Sequence, residues 1–165
     1  LLVFTAARVS VDGEPISSTR IRALLAEGQV ASANALLGYT YFAEGVVVPG
    51  KQLGRRIGFP TLNVSWSPEC RPALGVYAVR IRRAGETGGR TAVANYGLRP
   101  TVENASEPRL EVHILGECAI SAGDEVIVEW QQFLRAEQRF ASIDELRAQI
   151  ARDREAAARF FERAD

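Results

Sequence analysis

The chain has no methionine, one histidine (His113) and two cysteines, Cys70 and Cys118, in 165 residues. The cysteines lie far apart with no metal-ligand spacing, so they read as reduced, partly buried thiols. No window approaches the roughly 18 apolar residues of a membrane span. The opening LLVFTAARVS lacks the length and charge order of a signal peptide, so a cytoplasmic location is expected. Without an initiator methionine, Leu1 is not expected to be the natural start, and a longer parent protein is expected. Excess charge is lacking too: 20 basic and 20 acidic side chains give a formal net charge of zero. That balance argues against general nucleic-acid or anionic-membrane binding, which rests on surplus Lys and Arg. Phosphate binding by a few local groups stays open.

What the chain does have is enough length for one compact domain with a short appendage. A chain of this size buries roughly 70% of its unfolded surface, so it needs no disulfide or metal staple. The first forty residues read as a strand-like run followed by helices. Ser17 or Ser18 can cap a helix with Ile21, Leu24 and Leu25 on one face, stopped by Gly28. A second short helix fits Val30, Ala33, Leu36 and Leu37, ending at Gly38. The segment is too small to bury both faces alone and reads as the tail of a preceding domain.

From Tyr41 the period changes. GVVVPG is β-rich, and residues 50–63 read as a long loop. Tyr77, Val79 and Ile81 alternate with Ala78, Arg80 and Arg82, the two-residue period of a half-buried strand. RRAGETGGR reads as a hairpin connection into TAVANYG. Leu110, Val112 and Ile114 alternate against Glu111, His113 and Leu115, and Val126, Val128 and Trp130 against Ile127 and Glu129. Short strands with turn signals between them predict an antiparallel sheet, either closed or sandwiched. A final helix follows, with Ser142 and Glu145 at capping-box spacing and Ile143, Leu146, Ile150 and Ala157 as its apolar stripe.

The stretch GKQLGRRIGFPTLN, residues 50–63, is the most informative for chemistry. Gly50, Gly54 and Gly58 let backbone approach a ligand, and Lys51, Arg55 and Arg56 supply positive charge. This is the composition of a phosphate cradle without the Walker Gly-Lys-Ser/Thr step. Thr61 and Asn63 add hard oxygen donors suited to Mg²⁺ shared with substrate phosphates. The alternative is a basic surface loop with a Pro-initiated turn at Pro60. Glu111, mid-strand in LEVHIL, is either a general base for a hydroxyl nucleophile or a solvated outward residue. His113 shares its face and reads first as structural, with an orienting role as the alternative. In NYGLRPTV (95–102), Arg99 can reach phosphate or another ligand oxygen, and FLRAEQRF (133–140) reads as a mixed-charge loop before the last helix.

Taken in order, GRRIGFPTLN, GVYAV, ANYGLRPTV, EVHIL, FLRAEQRF and a Gln/Asp/Arg-rich helix resemble riboflavin kinases. From about Tyr39 onward the chain is similar to the C-terminal kinase module of bifunctional prokaryotic FAD synthetases. ISSTRIR (16–22) looks like the Ser-Thr-x-x-Arg element ending the adenylyltransferase module of those enzymes. That module's His-x-x-His motif cannot be present with one histidine.

The resemblance implies a mainly β fold: a small antiparallel Greek-key β-barrel with a C-terminal α-helix and a short helical N-terminal appendage. It divides the chain into residues 1–38, a remnant of the adenylyltransferase module, and residues 39–165, a riboflavin kinase domain. The missing part of the first module is expected in a full-length protein, and FMN adenylyltransferase activity is not expected from this chain. The implied reaction moves the γ-phosphate of ATP, with Mg²⁺, onto the 5′-hydroxyl of riboflavin to give FMN.

By position, the family's hallmark Thr and Asn fall on Thr61 and Asn63, as ligands of metal and nucleotide phosphates beside Pro60. The phosphate-covering loop falls on Gly50, Lys51, Gly54, Arg55, Arg56 and Gly58. The catalytic glutamate falls on Glu111, and flavin contacts fall on Arg99, Glu111 and the flap arginine Arg135. Three departures stand out: Leu62 for the hallmark alanine, Ala136 for a common flap proline, and GECAISAGDE where the family has an Asp and a Leu-Tyr-Gly turn. The competing reading is a non-catalytic flavin- or nucleotide-binding barrel. No nucleic acid and no membrane are expected as partners.

Overall fold

The segments with two-residue periodicity become strands because each offers one apolar face to a shared interior. A computed structural model describes residues 9–11, 13–50, 53–98, 108–117 and 119–164. Lys51, Arg99 and Cys118 therefore lie outside the described residues. In chain order the elements are a small hairpin, β1 (Ser10–Val11) and β2 (Glu14–Pro15), then α1 (Ser18–Ala26) and α2 (Val30–Leu37). There follow β3 (Phe42–Val48), α3 (Leu53–Arg56), β4 (Leu62–Ser65), β5 (Gly75–Arg83) and β6 (Arg90–Gly97). β7 (Arg109–Ile114), β8 (Glu125–Ala136) and α4 (Ile143–Ala164) complete the described fold.

Strands β3 to β8 close into an antiparallel barrel in the order β3-β4-β7-β6-β5-β8. Within it β5, β6 and β7 are consecutive neighbours and β8 returns to lie beside β5, which is the Greek-key arrangement. Closure removes exposed sheet edges. The inward set includes Tyr77, Val79 and Ile81 of β5, Ala94 and Tyr96 of β6, Leu110 and Val112 of β7, and Val126, Val128 and Trp130 of β8. The alternation on β5, β7 and β8 therefore places the expected residues inside.

Two expected loops are corrected. FLRAEQRF is not all loop, since residues 133–136 extend β8 to twelve residues. They stay in register because shifts in the β5–β8 pairing at Val76/Tyr77 and Ala78/Val79 absorb the strand's curvature. The 50–63 stretch is also not loop throughout: 53–56 form a helical turn, and Leu62 and Asn63 begin β4.

α1 and α2 form as their caps predict. The Ser17 hydroxyl accepts from the Arg20 N–H, and Gly38 takes the left-handed conformation with φ 73°. Their apolar face does not wait for another domain. Leu25, Val30 and Ala33 belong to the same core cluster as the barrel interior. Burying side chains such as Leu25 and Val30 contributes roughly 1.5–3 kcal/mol each. Asn34 ties the joint, donating to the Trp130 carbonyl at 2.9 Å and accepting from the Tyr41 N–H at 2.8 Å.

α4 lies against the outside of β5, β6 and β8. Ala157 and Phe161 pack on Val76, Ala78 and Val93. The forward half of the capping box forms, with Glu145 N–H donating to the Ser142 hydroxyl at 3.2 Å, while the Glu145 carboxylate accepts from the N–H of Ala141, one residue before the cap, at 3.0 Å. The stripe is displaced from its expected position: Ile143 is 60% exposed, whereas Asp153, Ala157 and Phe161 are buried. The helix meets the barrel only after its first two turns, so an apolar residue at its start has nothing to cover it.

Candidate active site

Register alone assembles a lateral row of side chains. Asn63 of β4 lies opposite Glu111 of β7, and Glu111 lies opposite Asn95 of β6. Asn95 lies opposite Val76 of β5, and Val76 opposite Arg135 of β8. Directly opposed residues share a face, with Cβ atoms about 4.5–5.5 Å apart. Because Leu110 and Val112 on either side of Glu111 point into the core, the row faces outward. It crosses the barrel from the 50–63 segment to α4, whose helix covers its Val76 end. Thr61, two residues before Asn63, lies just outside β4.

The glycines of residues 50–63 explain how backbone approaches this row. A Cβ on Gly50 would fall inside the Asn63 amide. One on Gly54 would sit on the Phe59 carbonyl and only 3.2 Å from the Thr61 hydroxyl oxygen. Gly58 takes φ 87°, a conformation that other residues rarely adopt, and so turns the chain into Phe59 and Pro60. Phe59 N–H donates to the Gly54 carbonyl at 2.7 Å, closing the turn. Arg55 and Arg56 are exposed on α3, while Ile57 beside them is buried and pins the turn down.

The donor chemistry can be tested against a divalent ion. Asn63 Oδ1 is buried with no hydrogen-bond partner, an arrangement that leaves an oxygen lone pair for a ligand. Among the described residues no three His, Cys, Asp or Glu side chains cluster as a metal cage. Thr61 and Asn63 therefore fit a hard cation that takes most of its ligands from substrate phosphates and water, as Mg²⁺ does.

His113 sits on the Glu111 face of β7 and is buried. Its Nδ1 lies 2.7 Å from the Pro60 carbonyl oxygen, and the Phe59 ring meets it edge-on at 5.8 Å. The Arg154 guanidinium of α4 lies over the other part of this stack, 5.6 Å from the Phe59 centroid. Burial pushes His113 below its ordinary pKa, and the nearby Arg154 charge adds to that while the bond to Pro60 opposes it. The net direction favours the neutral ring.

Arg135, expected as a flavin-side arginine, makes a two-pronged ion pair with Asp153 of α4. Nε donates to Oδ1 at 2.9 Å and Nη2 to Oδ2 at 2.8 Å. Gln149 donates to the same carboxylate at 2.8 Å. At the other end of the flap, the Glu137 carboxylate packs on Gly97.

Asn63 and Glu111 are thus brought together, with Gly50 against Asn63 and Gly54 against the Thr61 hydroxyl just before β4. Asn95, Asp153 and Arg154 were missed. Asp153 had left a signal, since it shares the i, i+4, i+8 spacing of Ala157 and Phe161 and so had to be a charge on the buried stripe. Asn95 left none, being one polar residue in an alternating strand.

The profile of the riboflavin kinase family matches residues 37–161. The bifunctional riboflavin kinase/FMN adenylyltransferase of Escherichia coli K12 is 46% identical over 149 residues, covering 90% of this chain and 47% of the relative. The protein of the same description from Bacillus subtilis 168 is 37% identical over 157 residues, covering 93% and 49%. Among solved structures, one from Streptococcus pneumoniae described as a macrolide-efflux protein superposes with TM-score 0.82 at 34% identity, over 92% of this chain and 49% of that one. The riboflavin kinase of Trypanosoma brucei superposes with TM-score 0.51 at 21% identity over 73% of this chain and 79% of that one, a likeness of fold. The chain spans about half the length of the curated relatives it matches. No helix among the described residues is long and apolar enough to cross a membrane. The matched span runs from the end of α2 through nearly all of α4 and includes the whole barrel with its outward row, so the chain belongs to the riboflavin kinase family.

Proposed function

We propose that this chain transfers the γ-phosphate of ATP to the 5′-hydroxyl of riboflavin, giving FMN and ADP, with Glu111 as the base. The observation that carries the reading is the opposition of Asn63 and Glu111 on the outer face of β4 and β7, with Asn63 Oδ1 buried and unpartnered. Thr61 and Asn63 are the residues that would hold Mg²⁺, which supplies neutralisation of phosphate charge. Gly50, Gly54, Arg55, Arg56 and Gly58 would cover the phosphates, a role also proposed for Lys51, which lies outside the described residues. Glu111 orients the riboflavin hydroxyl and takes its proton as the new O–P bond forms and ADP departs. Phosphoryl transfer passes through a loose transition state, so positioning and charge neutralisation dominate the rate. Arg135 serves the flavin end, a role also proposed for Arg99, which lies outside the described residues. The division into residues 1–38 as the end of an adenylyltransferase module and 39–165 as the kinase domain belongs to the same reading, as does a cytoplasmic setting.

A binding barrel has no use for a base beside an oxygen pair, and this separates the two readings. The test is chromatographic detection of FMN from riboflavin, ATP and Mg²⁺. Glu111→Gln is expected to lower turnover by about 10²–10⁴, the usual worth of a positioned general base. Omitting the metal is expected to abolish the product. Ligand binding by the unmodified chain with no FMN formed would leave only the binding barrel, and full turnover by Glu111→Gln would remove the base assignment.

A further inference from the structure

Backbone pairing between β4 and β7 ends at Leu62 and Val112. The next residue toward the N-terminus is Thr61, preceded by Pro60, which has no N–H to carry a ladder onward. Thr61 therefore hangs one residue beyond the last sheet pair, yet its hydroxyl must keep register with Asn63 and Glu111. His113 bridges that gap. A carbonyl can only accept, so the 2.7 Å contact between His113 Nδ1 and the Pro60 oxygen requires the proton on Nδ1. Nε2 is then a bare acceptor, buried and without a partner. The stack continues outward through Phe59 to Arg154, so β7, the turn at 59–60 and α4 meet at one point.

We propose that His113 is a positioning residue for the nucleotide side of the site, its Nδ1–H fixing the Pro60 carbonyl and thereby the Thr61 hydroxyl against Asn63 and Glu111. The inference rests on the kinase reading above. It requires a donor at the Nδ1 position and no particular group at Nε2. The Phe59 ring, itself covered by Arg154, meets the imidazole edge-on beside that hydrogen bond.

The two amides separate the ring nitrogens: in His113→Asn the amide N–H takes the Nδ1 place, and in His113→Gln it reaches toward the Nε2 place. His113→Phe keeps the ring and its contact with Phe59 but donates nothing. Each variant is assayed for FMN formation and, by calorimetry, for binding of Mg²⁺·ADP, with thermal melts as the check on folding. His113→Asn is expected to keep the wild-type KM for Mg²⁺·ATP within about threefold, whereas His113→Phe and His113→Gln raise it, and the Kd for Mg²⁺·ADP, about five- to tenfold, the effect of one lost hydrogen bond. The KM for riboflavin stays unchanged throughout. Equal affinities in His113→Asn and His113→Gln overturn the proposal, and so does a folded His113→Phe that binds Mg²⁺·ADP as the wild type does. Should His113→Phe fail to fold, the comparison between the two amides decides. If the wild type binds Mg²⁺·ADP but forms no FMN, the kinase reading fails while the binding data still judge His113.

Discussion

Arg135 and Asp153 offer the sharpest numerical test of how β8 is held to α4. Asp153 is 5% exposed, and its carboxylate receives two guanidinium hydrogen bonds and one from Gln149. The Arg135 side chain is 21% exposed and also donates to the Ala136 carbonyl at 2.9 Å. The two halves of the pair are therefore unequal. Replacing Arg135 with Met strands a buried carboxylate with only Gln149 to satisfy it, a situation that costs about 3–5 kcal/mol. Replacing Asp153 with Ala strands a guanidinium that water can reach, so the cost is roughly that of one or two charge-assisted hydrogen bonds, about 1.5–3 kcal/mol.

For a chain of this length each kcal/mol lowers Tm by about 2–4 °C, so Arg135→Met is expected to melt roughly 6–20 °C below wild type and Asp153→Ala about half as far. The double variant Arg135→Met with Asp153→Leu removes both charges and fills the space. It is expected to recover to within about 1 kcal/mol of wild type, because exchanging a buried ion pair for apolar side chains is close to neutral. Urea denaturation of the four proteins at pH 7 measures this. Arg135→Met as stable as Asp153→Ala, or a double variant no better than the worse single one, refutes the burial argument. Riboflavin binding by the recovered double variant then reports the flavin role of Arg135 free of its structural one.

Gly50→Ala places a methyl group inside the Asn63 amide, a short side chain with little room to move, so affinity for Mg²⁺·ADP is expected to fall at least about tenfold. Calorimetry against wild type measures it, and unchanged affinity would detach Gly50 from the site. At the hairpin ends the Ser121 N–H and Arg83 hold the Asp124 carboxyl below its ordinary pKa. A depressed folded-state value stabilises above the unfolded pKa and is lost as pH falls through the folded one. Melting curves from pH 7 to pH 2 are therefore expected to fall less steeply below about pH 4 in Asp124→Asn than in wild type.

The barrel strands were legible where alternation survives, as it does on β7 and β8 with their partly wet outer faces and on the Arg80–Arg82 end of β5, whose Val76–Ala78 end is dry on both faces because α4 covers it. What alternation could not supply was neighbourhood. Asn63 and Glu111 lie 48 positions apart in the chain, and only the order β4-β7 makes them opposite. Motif resemblance supplied the pair, while Asn95, reached through the same register, carries no local mark at all. β8 was cut short at residue 132 because Arg135, Glu137 and Arg139 look solvated. Asp153 on another element neutralises the first of them, which a single segment cannot reveal. Ile143 failed in the opposite sense, as an apolar residue at helical spacing with no surface beneath it.

The appendage makes the strongest case against reading segments singly. α1 and α2 have too few apolar residues to fold against each other, which invites assignment to a lost neighbour. Their Leu25, Val30 and Ala33 instead share the core of Trp130, Tyr77 and Val128. Gly28, at φ 78°, brings its backbone so near that an added Cβ would lie 3.0 Å from the Phe133 ring. Phe133 meets the Tyr77 ring edge-on and stands two residues before Arg135 on β8. The turn between the two helices thus presses on the strand that ends in the flap. A boundary drawn at residue 38 by motif and a boundary drawn by packing are different boundaries. The core these helices complete is the one from which β8 carries Arg135 to the outer row.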